Sequence, residues 1–144
     1  MSRRTTAIAA ALSVLALASP LITGCTNPLA DNSFNSGVDK YEQGDYQGAF
    51  ADFTKVIEID PQSADAYHNR GTAKDDLEDY QGAIADYTKV IEINPQFASA
   101  YSIRGMSKYL LGDLKGACDD ARKAADLGDE RSAERVKECL GMGF

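Results

Sequence analysis

The sequence predicts an all-α fold, an array of three helix-turn-helix units followed by a C-terminal capping helix. Residues 45–62 read DYQGAFADFTKVIEIDPQ and residues 79–96 read DYQGAIADYTKVIEINPQ, so two segments 34 residues apart differ at only three positions. Within each segment the apolar residues recur at the spacing of one helix face. A fixed period of this length with helical patterning is typical of a helical solenoid.

The N-terminal segment is interpreted as an export signal. Arg3 and Arg4 precede an apolar core over residues 7–18, which is followed by Ser19 and Pro20. A membrane-spanning helix needs roughly 20 apolar residues, so this core is too short and fits the central region of a signal peptide. A helix belonging to the fold is disfavoured, because the segment is apolar on all sides.

The segment ends in the motif Ile22-Thr23-Gly24-Cys25, which resembles the bacterial lipobox. The resemblance implies that a diacylglycerol is attached to the Cys25 thiol and that the chain is cleaved after Gly24. Residues 1–24 are then a lipoprotein signal peptide and residues 25–29 a short tether. Apart from this covalent lipid, with acyl chains such as palmitate, no cofactor is expected. The alternative is an ordinary secretory signal that is cleaved nearby.

The repeat units are placed at about residues 30–63, 64–97 and 98–131. Each second helix follows an aspartate whose carboxylate caps free N–H groups: Asp45, Asp79 and Asp113. Pro61 and Pro95 end two of these helices, since a residue before proline avoids the α region. Glycine recurs at one helical phase at Gly37, Gly71 and Gly105, which predicts that helices approach closely there.

The first and third units depart from the pattern. Ser33 stands where Tyr67 and Tyr101 open the other units, so the first helix is expected to be frayed or short. Asp129 replaces the closing proline of the third unit, and a capping helix is predicted over about 130–140. Its apolar residues, Ala133, Val136 and Leu140, are expected to cover the last apolar face of the array.

The segment AYHNRGTAKDDLEDYQGAIADYTKVIEINP of the second unit resembles the tetratricopeptide repeat family. The resemblance implies a right-handed superhelical domain over residues 30–141. The first helices of its units would line a concave groove that takes a partner peptide or helix. Read by helical phase, the residues expected to face this groove are Phe34, Val38, Tyr41, Asp65, His68, Asn69, Thr72, Asp75, Asp76, Ser102, Met106 and Tyr109.

This groove is aromatic and acidic. Family members that bind chaperone C-terminal carboxylates do so with a set of residues that includes lysines and an arginine. This chain matches that set only at Asn69 and lacks its basic members. The expected partner is therefore a protein segment with apolar and basic side chains. The alternative is that Asp75 and Asp76 only keep the surface soluble.

Two further cysteines lie at similar distances on either side of the turn near Gly128 and Asp129. In an antiparallel helix pair, Cys118 and Cys139 would sit at the same height, and export would place this chain in an oxidising compartment. A disulfide between them is one interpretation. The other is that Cys118 is a small buried apolar residue, because it aligns with Phe50 and Ile84.

Composition excludes several function classes. The net charge of −7 disfavours nucleic-acid binding, which needs clustered Lys and Arg. His68 is the only histidine, and the sequence has no Gly-rich phosphate loop and no Cys-x-x-Cys pair. The acidic cluster around Asp75 and Asp76 does not match the spacing of an EF-hand. We therefore expect no enzyme activity, no metal and no small-molecule substrate.

The leading hypothesis from the sequence is a membrane-anchored interaction scaffold of the bacterial cell envelope. Thr26 after the lipidated cysteine favours the outer membrane, facing the periplasm, in a Gram-negative host. The alternatives are a regulator of an envelope enzyme, such as one of cell-wall synthesis or hydrolysis, and a holdase-type chaperone of the periplasm.

Overall fold

The computed structural model describes residues 27–141 and 143, so the predicted signal peptide and Cys25 lie outside the described residues. The described part is helical, with no strand, and each helix packs against the helices before and after it. This confirms the predicted all-α array of paired helices. The helices are α1 (Pro28–Glu42), α2 (Tyr46–Ile59), α3 (Ala64–Asp76), α4 (Tyr80–Ile93), α5 (Ala98–Leu110), α6 (Leu114–Asp126) and α7 (Glu130–Gly141).

The second helix of each unit begins and ends where the sequence predicts. The side chains of Asp45, Asp79 and Asp113 accept hydrogen bonds from the backbone N–H three residues later. Helices α2 and α4 end at Ile59 and Ile93, immediately before an Asp-Pro and an Asn-Pro pair. These caps satisfy donors that would otherwise lack a partner at the start of each helix.

The expectation of a frayed or short first helix is wrong. Helix α1 has 15 residues and begins at Pro28, inside the segment predicted as a tether. Asn27 caps it by accepting from the Leu29 N–H, and proline suits the first helical position because its missing N–H needs no partner there. The ring of Phe34 packs edge-on against Phe53 at 5.6 Å, which anchors the helix without an opening tyrosine.

The glycines at the shared phase allow the helices of a unit to approach closely, as predicted. A Cβ atom on Gly37 would lie 2.8 Å from the Phe53 ring, and one on Gly71 would lie 2.9 Å from the Tyr87 ring. At Gly105 the nearest groups are instead the Ala117 carbonyl and the Asp120 side chain. Any larger residue at the first two positions would displace a buried ring.

A buried carboxylate on each second helix joins the helices of the array. Asp86 accepts two hydrogen bonds from Arg70, at 2.7 and 2.8 Å, and pairs with Lys74 at 2.8 Å. Arg70 also donates to the Thr54 hydroxyl, so one guanidinium connects α3 with both α2 and α4. Arg104 repeats this arrangement with Asp120 and with Thr88 of α4.

The first unit modifies the same arrangement. Asp52 is bound by Lys40, Lys55 and the hydroxyl of Ser36, which stands where the other units have arginine. Burial by itself would raise the pKa of Asp52, but these three hydrogen bonds together hold the pKa well below its ordinary value. Asp52 therefore stays charged in the folded protein.

The capping helix buries a different face from the predicted one. Ser132 and Cys139 are buried, whereas Ala133 and Leu140 are exposed. The buried face is set by contacts that the apolar pattern does not show. Ser132 donates to the Ser102 hydroxyl at 3.0 Å, and Cys139 forms a disulfide with Cys118 of α6, with a Cα–Cα distance of 5.8 Å.

None of the helices in the described residues is long and apolar enough to cross a membrane. The same residues contain no group of three or more His, Cys, Asp or Glu side chains that could hold a metal ion.

Candidate partner-binding groove

The groove residues predicted in the first unit contribute mainly to packing. Phe34, Val38 and Tyr41 are partly buried against a core formed by Ala49, Phe53 and Ala73. The predicted groove residues that are exposed instead are Asp65, Asp76, Met106 and Tyr109. The first helix therefore presents less apolar surface than its sequence suggests, because α2 and α3 cover it.

His68 is held between two aromatic rings. Its ring centroid lies 5.8 Å from that of Tyr87 and 5.4 Å from that of Phe97. Burial lowers the pKa of His68, although nearby Asp65 acts in the opposite direction. Its Nδ1 atom is buried and has no hydrogen-bond partner among the described residues. An imidazole in this position is neutral at pH 7, so it packs between the two rings without contributing charge.

Two predicted groove carboxylates are used within the protein. Asp75 accepts from the hydroxyl of Tyr87 at 2.9 Å and from that of Ser107 at 2.8 Å, which joins α3, α4 and α5. Asp76 accepts from the hydroxyl of Tyr41, which joins α3 to α1. These contacts give both side chains a role in holding neighbouring units together, which the sequence did not reveal.

The pKa values around Asp75 agree with this role. Burial raises the pKa of the Asp75 carboxyl, and the charges of Asp76 and Asp79 raise it further, whereas the two hydroxyl donors act against them. The same burial raises the pKa of Tyr87 above its usual range, so its hydroxyl stays protonated and able to donate. Neutralising Asp75 would consequently alter packing as well as charge.

The remaining polar groove residues make local contacts. Asn69 donates to the backbone carbonyl of Asp65 at 2.8 Å, and Thr72 donates to that of His68 at 3.0 Å. Ser102 accepts from Ser132 of the capping helix, as described above. Asn69 and Thr72 therefore stabilise their own helix, and Ser102 joins α5 to the capping helix.

An acidic cavity lies at one end of the array, between α1, α2 and α3. It has a volume of about 490 Å³, and its lining includes Asp31, Asp60, Asp65 and Phe34. Among the described residues, none of these three carboxylates forms an ion pair. In the described part of the chain, this cavity therefore brings together three carboxylates without a neighbouring cation, of which Asp65 belongs to the predicted groove.

An apolar cavity lies at the other end, between α5, α6 and α7. It has a volume of about 370 Å³ and is lined by the predicted groove residues Ser102, Met106 and Tyr109. Met106 and Tyr109 are 39% and 55% exposed, which is high for large apolar side chains in a folded domain.

The capping helix contributes residues that the sequence prediction missed. Arg135, Glu138 and Cys139 line the apolar cavity. Helix α7 begins 32 residues after α5 begins, so the 34-residue offset does not extend to it. Glu138, which is 32 residues after Met106, lines the cavity, whereas Leu140 is 64% exposed and does not.

Comparison with known proteins identifies the repeats. The model of the tetratricopeptide repeat (TPR_1) matches residues 64–97, and a second TPR repeat model (TPR_11) matches residues 37–74. The chain contains tetratricopeptide repeats. The first match coincides with the second unit placed from the sequence, and together the two matches lie within the first two units. No curated protein sequence matches the chain.

Solved structures with these repeats have the same fold. The Arabidopsis OM64 TPR domain superposes with a TM-score of 0.75 at 25% identity, covering 80% of this chain and 97% of that one. The TPR2B domain of yeast Sti1, solved as a complex with pHsp70, gives 0.70 at 25% identity, with coverage of 78% and 94%. The second TPR of Spaghetti (RPAP3), bound to the HSP90 peptide SRMEEVD, gives 0.67 at 26% identity, with coverage of 69% and 92%.

Proposed function

We propose that this protein is an interaction scaffold anchored to a bacterial envelope membrane through Cys25, and that its first-helix groove binds a protein segment. The observation that carries the proposal is the open groove itself. Its two ends present an acidic cavity and an exposed apolar cavity on an array of paired helices. Two of the similar repeat structures were solved with peptide or chaperone partners.

The charge of the groove favours a basic partner. The peptide SRMEEVD, bound by the second TPR of RPAP3, contains two glutamates and an aspartate. Here the unpaired charges around one end of the groove are the carboxylates of Asp31, Asp60 and Asp65. Because like charges across an interface are unfavourable, the partner segment proposed for this chain carries lysine or arginine beside its apolar residues.

The anchor places this groove near lipid. Helix α1 begins at Pro28, three residues after Cys25. A fully extended span of that length covers at most about 10 Å. An enzyme regulator and a periplasmic holdase remain alternatives, and both would use the same groove. A regulator predicts that a purified envelope enzyme changes in activity, and a holdase predicts suppression of aggregation for many unrelated chains.

Substituting Cys25→Ser tests the anchor. Without the thiol no lipid is attached, so the protein is expected to move from the membrane fraction to the soluble fraction and to lose palmitate labelling. Membrane fractionation and mass spectrometry measure both effects. Thr26→Ser, which keeps the cysteine, is the matched control and should stay in the membrane. Retention of an unlipidated Cys25→Ser chain at the wild-type level would contradict the anchor.

Neutralising Asp31 and Asp65 together tests the groove. Both carboxylates are exposed and unpaired, so Asp31→Asn with Asp65→Asn changes charge without breaking the contacts that Asp75 makes. We expect binding of the partner to weaken by roughly 1 kcal/mol, or about fivefold, with a smaller dependence on salt. The measurement is photo-crosslinking in cells from position 109, followed by titration of the partner identified.

The control for this experiment changes the same net charge elsewhere. Glu58→Gln with Asp126→Asn removes two exposed carboxylates from α2 and α6 that line neither cavity. This control should bind as the wild type does. Equal affinity and equal salt dependence in all three proteins would show that the groove charge has no part in recognition.

A further inference from the structure

The apolar cavity has a specific origin in the repeat. Phe53, Tyr87 and Ala121 occupy equivalent positions at 34-residue intervals. In the first two units the ring at this position packs against the glycine of the first helix, as described for Gly37 and Gly71. In the third unit alanine replaces the ring. A Cβ on Gly105 would there lie 3.1 Å from the Ala117 carbonyl and 3.2 Å from the Asp120 Cβ, and a cavity lined by Gly105 and Ala121 remains between the helices.

The space is large enough for an aromatic side chain. A cavity of about 150 Å³ with apolar walls binds benzene, and the cavity beside Gly105 has a volume of about 370 Å³. Its walls include three small residues, Gly105, Ala117 and Ala121, and three larger ones, Leu114, Met106 and Tyr109. The first two repeats show that the fold accepts a ring at this position, because their own rings fill it.

The edge of the cavity suits an uncharged ring. Arg135 and Glu138 lie there with opposite charges, so neither sign is in excess. Arg135 is positioned by hydrogen bonds of 3.3 and 3.4 Å to the hydroxyl and carbonyl of Ser102. A guanidinium beside an aromatic face is attracted to it, and the protein already uses this contact where Arg104 lies 5.6 Å from the Tyr101 ring.

We propose that this cavity, bounded by Gly105, Ala121 and Arg135, is a binding pocket for a phenylalanine or tyrosine side chain of the partner segment. It is continuous with the groove, since Ser102, Met106 and Tyr109 belong to both. The proposal rests on the proposed function, because it specifies how the groove recognises its partner. The partner segment then carries an aromatic residue in addition to the basic residues that face Asp31 and Asp65.

The test fills the pocket from within. In the full chain, Ala121→Phe restores the ring found at the equivalent positions 53 and 87. NMR titration with toluene, the side chain of phenylalanine as a free molecule, should shift the methyl signals of Met106 and Ala121 in the wild type. Ala121→Phe should abolish the shift at Met106 and keep an unfolding midpoint at or above that of the wild type. Ala85→Phe, which adds the same ring to the exposed face of α4, should bind toluene as the wild type does.

Two peptides extend the test from the free ring to a protein segment. Ac-Lys-Ala-Phe-Ala-Lys-NH₂ should bind at least about tenfold more tightly than the same peptide with alanine for phenylalanine, and Ala121→Phe should remove this difference. A missing toluene shift in the wild type, or an equal shift in Ala121→Phe, overturns the pocket. So does toluene binding that appears only in Phe144→Ala, because the chain's own C-terminus would then occupy the cavity. These outcomes leave the charge test of the groove unaffected, so the two proposals fail separately.

Discussion

Replacing Asp86 with alanine is expected to lower the free energy of unfolding by about 3 kcal/mol. The Asp86 side chain is buried and receives Arg70 in a two-point contact and Lys74 in a third. Its loss leaves two cations close together in a largely buried site without a counter-charge. The cost arises from these unpaired groups more than from the attraction that is lost.

The effect should extend beyond one unit, because Arg70 also reaches Thr54 of the preceding unit. Chemical denaturation monitored by circular dichroism measures the loss, and amide exchange should show α2 and α3 opening together. Asp119→Ala is the matched control. Asp119 is half exposed and pairs with Lys115 and Arg122 on the protein surface, where solvent screens the charges, so its loss should cost much less than the loss of Asp86. Equal losses of unfolding free energy for the two substitutions would show that burial does not increase the contribution of the Asp86 contacts to stability.

Removing the disulfide is expected to cost about 3 kcal/mol. The bond joins residues 21 positions apart and thereby restricts the unfolded chain. Replacing both Cys118 and Cys139 with alanine removes this restriction. Helix α7 has 12 residues and is held otherwise by contacts from Ser132 and Arg135 to Ser102. A helix of this length is marginal alone, so it should detach before the rest of the array unfolds.

Limited digestion with trypsin detects this detachment directly. Arg131 and Lys137 lie exposed on α7 and become cleavable when the helix opens, whereas Arg70 and Arg104 remain protected within the array. Reducing the wild type should reproduce the digestion pattern of the double variant. Titration of two free thiols at positions 118 and 139 in the unreduced, mature protein would contradict the bond.

The sequence identified the repeat and its helix boundaries because these depend on local chemistry. A capping aspartate such as Asp45 acts within three residues, and Pro61 ends a helix through its own backbone. The first helix was misjudged for the same reason. Ser33 suggested a weak start, but the local signal at Asn27 and Pro28 begins the helix and the distant Phe53 ring holds it.

The candidate groove was predicted only in part. Helical phase correctly selected exposed residues such as Met106 and Tyr109, but it could not show that Asp75 and Asp76 are hydrogen-bonded by tyrosines from other helices. It also assigned Leu140 to a buried face. Whether a position on an amphipathic helix is covered depends on which neighbour packs against it, and that neighbour lies on another helix, for example 12 residues away for Tyr87 and Asp75 and 35 for Tyr41 and Asp76.

The sequence by itself determined the period, the caps and the glycine positions, because each of these acts through a few neighbouring residues. The tertiary structure alone decided which charges are neutralised and where space is left. Arg70 connects three helices only once they are stacked, and Ala121 creates a cavity only because Gly105 and the capping helix complete its walls. Volume and charge balance are properties of the assembled array, since they depend on side chains that the chain brings together from separate repeats.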